Sequence, residues 1–191
     1  MRKINLDLTD KSYDIKIGNN IIDLSTVEKF VSNKEVLIVF DSAISGSRIM
    51  QFKEMISKSI LKLELIEIDA NENNKSQETL SEIYSILVEN KFSRDCLIIG
   101  MGGGIVCDIA GFSAATYQRG VNFLLIPTTL LAQVDASVGG KTAINHPKGK
   151  NMIGAFHQPI GVIADISFLK TLPEREISCG LSEMIKHGLI N

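Results

Sequence analysis

Cys96-Leu97-Ile98-Ile99-Gly100-Met101-Gly102-Gly103-Gly104 runs without a break into Ile105-Val106-Cys107-Asp108-Ile109-Ala110-Gly111-Phe112-Ser113-Ala114-Ala115-Thr116. A short apolar run without alternation is the pattern of a strand buried on both faces. The glycines end that strand, and residues 105–116 read as a helix whose Ala110, Gly111, Ala114 and Ala115 allow close packing. Strand, glycine turn and helix in that order form the unit of a parallel α/β sheet. The same order places backbone N–H groups at a helix N-terminus, where phosphate binds. Glycine admits a ligand close to the backbone and takes positive φ without strain, and both are expected of Gly103 and Gly104. The spacing is not the dinucleotide fingerprint, because Ile105 stands where the third glycine falls. It is not a Walker A loop either, so a purely structural tight turn is the competing reading.

Outward from this stretch the alternation continues in both directions. Residues 4–17 predict a hairpin, with Ile4, Leu6 and Leu8 and then Tyr13, Ile15 and Ile17 alternating around the turn Thr9-Asp10-Lys11-Ser12. Val36–Phe40, Leu63–Ile68 and Phe123–Ile126 read as further strands. Helices are predicted around 46–60 and over 76–90, the second capped by Ser76 with Leu80, Ile83, Ile86 and Leu87 on one face. Ligands of such sheets bind at the carboxyl ends of the strands, where Asp41, the glycine cluster and Thr128-Thr129 fall. Residues 139–159, rich in turn formers, are expected to be an ordered loop, and 160–166 one more strand. After Thr171-Leu172-Pro173 the texture changes to a helix with Pro173 at its first position and Ile177, Leu181, Ile185 and Leu189 on one face.

Bulk properties narrow the function classes. The 191 residues are 45% apolar and 22% charged, with a formal net charge of −2, which argues against general nucleic-acid binding. No apolar run approaches the length of a membrane span, and the N-terminus lacks the apolar core of a secretory signal. Cys96, Cys107 and Cys179 are too scattered for a disulfide framework and read as reduced thiols of a cytoplasmic protein.

The polar residues of 128–187 carry the chemistry. Thr128-Thr129 suit a helix cap or a ligand contact. Lys141 and Lys150 sit among glycines and asparagine, a setting for phosphate more than for a solvated helix face. Asp135 interrupts an apolar stretch, where burying an unpartnered carboxylate is costly, so a functional role is expected. Glu183, Lys186 and His187 share a helix face at i, i+3 and i+4, a spacing for two metal ligands or for a solvated ion-pair cluster. His146 and His157 show no ligand pattern.

The run 102–120, with Pro127-Thr128-Thr129-Leu130-Leu131-Ala132-Gln133-Val134-Asp135, Val138-Gly139-Gly140-Lys141-Thr142, Asn145-His146-Pro147, Gly149-Lys150-Asn151-Met152-Ile153-Gly154-Ala155-Phe156, Leu169-Lys170-Thr171-Leu172-Pro173 and Gly180-Leu181-Ser182-Glu183-Met184-Ile185-Lys186, resembles the 3-dehydroquinate synthase family. The resemblance covers almost the whole chain. It implies a Rossmann-like, NAD-binding α/β domain over residues 1–170 and the start of a helical domain at 171–191, in a homodimeric cytoplasmic enzyme. The implied reaction is closure of a seven-carbon sugar-acid phosphate, 3-deoxy-D-arabino-heptulosonate 7-phosphate, to 3-dehydroquinate in the shikimate route to aromatic amino acids. NAD would take up and return a hydride around phosphate elimination, and a divalent metal, zinc or cobalt, would polarise the substrate oxygen.

Carried over position by position, the resemblance implies cofactor contacts for Asp41, Asn71, Glu72, Lys75, Gly103, Gly104, Asp108, Thr128, Thr129, Phe168, Leu169 and Thr171. Lys141 and Lys150 fall at the junction of cofactor and substrate. Lys150 and Asn151 would hold the phosphate, with Arg119 reaching across the dimer, and Asp135 and Lys186 would contact substrate hydroxyls. Glu183 is the implied metal ligand; His187 aligns with a variable position and is not. Two departures stand out: Asn71, tolerant of positive φ, and Cys107 both replace family glycines. The resemblance places two further metal histidines beyond Asn191, so this stretch alone is expected to be inactive. The alternatives are another sugar-phosphate cyclase, a related polyol dehydrogenase, or a nucleotide-binding module without catalysis.

Overall fold

The computed structural model describes residues 1–190. Its centre is a seven-stranded sheet of β1 (Arg2–Leu6), β2 (Tyr13–Gly18), β3 (Glu35–Asp41), β4 (Lys62–Ile68), β5 (Leu97–Gly102), β6 (Asn122–Pro127) and β9 (Val162–Asp165), in the order β1-β2-β9-β6-β5-β3-β4. The opening hairpin is antiparallel with Leu6 opposite Tyr13, and every other pairing is parallel.

Alternation along the central strands sends side chains to two cores. Leu37, Val39, Ile98, Phe123 and Leu125 face one side, where they meet α3 (Gln77–Glu89) and α4 (Gly104–Thr116). Val36, Ile38, Leu97, Ile99, Leu124 and Ile126 face the other, against α1 (Leu24–Val31) and α2 (Gly46–Ile56). Ser76 caps α3 as expected, accepting from the Thr79 N–H, and Leu80, Ile83 and Leu87 go fully inside. Each such side chain stabilises the fold by about 1.5–3 kcal/mol. Among the described residues, no helix is long and apolar enough to cross a membrane.

The structure differs from the sequence reading at four places. Residues 139–159 are not a loop: β7 (Lys141–His146) and β8 (Gly149–Phe156) form an antiparallel hairpin, with Thr142 and Ile144 buried. Tertiary packing on α4 selects strand there despite the turn-forming composition. The helix α1 went unforeseen; Asp23 caps it through the Thr26 N–H. The strand after 160 is shorter than expected and gives way to a 3-10 turn over Ile166–Thr171. Finally, α5 (Glu174–Ile190) begins after Pro173, whose carbonyl accepts the Glu176 and Ile177 N–H groups, and Leu181, Ile185 and Leu189 of its apolar face are exposed.

Candidate functional site

From β3 the chain moves outward to β4 and then returns to the other side of β3 as β5. That reversal opens a crevice at the carboxyl ends of β3 and β5, the place where α/β sheets bind ligands. Asp41 ends β3, and Gly103 follows β5 as the N-cap of α4. No side chain caps α4, so its first-turn N–H groups are left for a ligand. A Cβ at Gly103 would lie 3.1 Å from Thr129 Cγ2, and one at Gly104 would lie 3.2 Å from Ala136 Cβ. Neither glycine has positive φ, with Gly103 at −74°, so clearance and not backbone strain is their contribution. Burial pushes the Asp41 carboxyl above its ordinary range against the opposing Ala43 N–H, and nearby Asp69 adds to the rise. A ribose hydroxyl fits such a carboxylate, and a pyrophosphate fits the free N–H groups beside it.

Lys75 ties three elements together. It is 5% exposed, pairs with Asp108 on α4, and donates to Asn151 Oδ1 of β8 at 2.5 Å. Burial raises the Asp108 carboxyl, and the Lys75 ammonium opposes the rise without cancelling it. Asn71 does not adopt positive φ; its Oδ1 instead accepts the Asn73 and Asn74 N–H groups, a side-chain turn that substitutes for glycine. Glu72 accepts from Asn145 Nδ2 at 2.8 Å, and Lys150 Nζ lies 3.4 Å from its carboxylate. The Asn145 bond is the larger cause holding the Glu72 carboxyl below its ordinary range.

An open cleft of about 620 Å³ gathers Asp108, Asp135, Lys141 and Asn151 between α4, the π-helical turn Ala132–Ala136 and the β7–β8 hairpin. Lys141 and Lys150 are both exposed, on strands and not on loops. Asn151 takes φ of 56° and donates its N–H to Asn145 Oδ1, a strained backbone held by a specific partner. Asp135 is not buried: its side chain is 51% exposed, so the burial cost expected from the sequence does not arise. Thr128 bonds the Gly102 carbonyl through its N–H, and Thr129 Oγ1 accepts the Ala132 N–H, the capping role. Arg119 is exposed at the end of α4, with Gln118, Arg119 and Gly120 all at positive φ.

The 166–171 turn lies at the other side of the crevice. Phe168 is buried under the Arg48 guanidinium, 4.5 Å away, while Leu169 is half-buried and Thr171 exposed. On α5, Glu183 Oε1 is sealed from solvent and accepts no hydrogen bond of good geometry. Lys186 Nζ is pressed against it as an ion pair, and His187 Nε2 lies 3.3 Å away. With Asp135 it forms a group of donors that can hold a metal ion.

Sequence reasoning missed Asp165, Arg48 and the structural part of Asn145. Asp165 accepts N–H groups from Asn20, Ile21 and Ser167. Burial alone would raise it; those donors outweigh burial and hold it below the carboxylate range. Arg48 reaches Ser167 and carried no local signal, whereas Asn145 stood within a quoted motif. Cys107 is buried in the core against the Gly102 carbonyl, and burial pushes its thiol up, as it pushes Cys96 up to about 12. Both are inert packing groups.

A family model described as 3-dehydroquinate synthase N-terminal matches residues 65–179. Among curated relatives, a 3-dehydroquinate synthase of Legionella pneumophila (strain Lens) is 46% identical over 189 residues, covering 98% of this chain and 51% of the relative. The chain spans about half the length of the curated relatives it matches. Among solved structures, the 2-epi-5-epi-valiolone synthase ValA of Streptomyces hygroscopicus subsp. jinggangensis 5008, with NAD+ and Zn2+ bound, superposes with a TM-score of 0.84 at 30% identity over 95% of this chain and 50% of that one. A 2-deoxy-scyllo-inosose synthase complexed with carbaglucose-6-phosphate, NAD+ and Co2+ gives 0.87 at 24% identity over 97% and 50%, a likeness of fold alone.

Proposed function

This chain belongs to the 3-dehydroquinate synthase family, and we propose that it is the NAD-binding half of an enzyme that converts 3-deoxy-D-arabino-heptulosonate 7-phosphate to 3-dehydroquinate and phosphate. The observation that carries this reading is the tie made by Lys75. It joins the loop after β4, the first turns of α4 and the β7–β8 hairpin along one edge of the crevice. Identity of 46% to a named dehydroquinate synthase, against 30% to a valiolone synthase, favours the dehydroquinate branch over another cyclase.

In this reading residues 1–170 form the NAD domain and 171–191 begin the helical one. Asp41 and the α4 N-terminus would hold the ribose and pyrophosphate, and Phe168, Leu169 and Thr171 of the 166–171 turn would add further cofactor contacts. NAD supplies reversible hydride transfer when bound. Glu183 would ligate a divalent metal, zinc or cobalt, which would supply Lewis-acid polarisation. Lys141, Lys150 and Asn151 place positive charge and donors at the substrate phosphate, with Arg119 contributed across a homodimer. Asp135 and Lys186 orient ring hydroxyls. The setting is cytoplasmic and the pathway the shikimate route. The test is phosphate release by the protein of the full reading frame, supplied with NAD and metal. Release from this substrate supports the assignment, and an NAD- and metal-loaded protein that releases none overturns it.

A further inference from the structure

We propose that Asn145 is a positioning residue of the anion site: its side-chain amide fixes the Lys150-Asn151 bulge of β8 against Glu72, so that a phosphoryl group meets these residues already in place. The inference rests on the reading above for what Lys150 and Asn151 bind. Asn145 itself has no role in that reading.

The β7–β8 hairpin is out of step at this point. Ile144 pairs with Ile153, and His146 pairs with Gly149. On β7 only Asn145 lies between those pairs, whereas β8 places Lys150, Asn151 and Met152 there. The surplus residues bulge out of the ladder, lose its main-chain partners and present their side chains in new directions. Asn151 pays in backbone as well, with φ of 56° in the left-handed region. Bulges and such backbone concentrate at functional sites.

The Asn145 side chain takes the place of the missing ladder. Its Oδ1 accepts the Asn151 N–H at 2.9 Å. Its Nδ2 donates to the Glu72 carboxylate at 2.8 Å and to the Glu72 carbonyl at 3.1 Å. Its own N–H donates to the Lys75 carbonyl at 2.7 Å. One half-buried residue thus joins the loop after β4 to the middle of β8. A backbone N–H only donates and a carboxylate only accepts, so an amide is the group that satisfies both partners. Both Nδ2 hydrogens are committed to Glu72. Asn145 therefore offers an anion no donor and acts through its neighbours.

The same logic orients Asn151. The Lys75 ammonium only donates, so Asn151 Oδ1 faces it and the Nδ2 group is turned away from it. Asn151 lines the open cleft with Asp108, Asp135 and Lys141, where an amide N–H suits a phosphoryl oxygen. On the other side of the bulge, Glu72 lies 3.4 Å from the Lys150 ammonium. That side chain is 73% exposed and has room to swing from Glu72 to an anion.

The test exchanges donor and acceptor across the Asn145–Glu72 pair. Asn145→Asp keeps the acceptor for the Asn151 N–H but sets a second carboxylate against Glu72. Adding Glu72→Gln returns a donor to the pair and restores both bonds. Inorganic phosphate is titrated calorimetrically into the protein of the full reading frame and these three variants, with kcat and KM for phosphate release and urea unfolding measured alongside. Asn145→Asp should weaken phosphate binding by more than about tenfold and raise KM more than it lowers kcat. The double variant should lie within about threefold of Glu72→Gln alone. If phosphate binds the unaltered protein too weakly to titrate, the KM pattern across the same proteins decides in its place. A folded Asn145→Asp protein with undiminished phosphate affinity and KM overturns the inference, and so does an equal loss in both Glu72 backgrounds. Should Asn145→Asp alone unfold, the double variant decides: it must fold and bind phosphate at the level of Glu72→Gln, and failure there overturns the inference. Phosphate binding that follows the expected pattern, without release from the sugar-acid phosphate, overturns the reading above and leaves this inference standing. An unaltered protein that neither binds phosphate nor releases it overturns both.

Discussion

Replacing Lys75 by methionine keeps the length of the side chain and removes the cation that faces Asp108. The two side chains are 7% and 19% exposed, so the pair is largely desolvated. Breaking a buried pair from one side costs about 3–5 kcal/mol, because the remaining charge loses its partner. The residual exposure of Asp108 places the expected loss at the low end, about 3 kcal/mol. With a urea slope of about 2 kcal/mol/M, the unfolding midpoint falls by about 1.5 M. The loss should also depend on pH. Burial holds the Asp108 pKa above its ordinary value, with Lys75 opposing. A raised carboxyl binds its proton more tightly in the folded than in the unfolded chain. Its contribution is therefore fully present below the unfolded value and lost as pH rises through the folded one. Without Lys75 the folded value moves further up and the window widens, so the deficit should grow from about pH 4 toward neutrality. Adding Asp108→Asn should restore more than half of the loss, since the stranded charge is gone. Urea unfolding of the three proteins at acid and neutral pH decides it. A deficit that is flat with pH, or a double variant less stable than Lys75→Met, would refute the reasoning.

Asp41→Asn should raise stability at neutral pH, because burial disfavours the ionised Asp41 there, and the gain should vanish below the ordinary carboxylate pKa; thermal unfolding at two pH values checks it, and NAD affinity of the full-length protein should fall. Gly104→Val should abolish NAD binding by the full-length protein while the sheet stays folded, since its branched side chain fills the gap before Ala136; undiminished affinity by calorimetry would move the cofactor elsewhere. Lys150→Ala should change stability by less than about 0.5 kcal/mol, because the residue is 73% exposed and its pairing with Glu72 is a surface one. The same variant should cut phosphate release strongly, and a large drop in unfolding midpoint would assign Lys150 to the fold instead.

Local pattern by itself determined the parallel sheet, the two helical layers and the glycine turn. Strand runs buried on both faces and helices with a buried stripe are written in the spacing of Val36–Phe40, Leu97–Ile99 and Leu80-Ile83-Leu87, because burial acts on each residue through its own side chain. Lys141 and Asp135 were legible from their setting, one among glycines and the other within an apolar stretch, whereas Lys75, Asp108 and Asn151 were marked only by the family resemblance. Tertiary structure alone decided who their partners are. Lys75 meets Asp108 across 33 positions and Asn151 across 76, distances over which no periodicity reports. The β7–β8 hairpin exists because α4 offers a surface to Thr142 and Ile144, not because residues 139–159 favour strand. The shared face of Glu183 and His187 was legible in their spacing, but only the close approach at Gly180 brings α5 against the segment that leads into Asp135. Each of these depends on where a distant backbone lies, and a chain reports that only after it has folded.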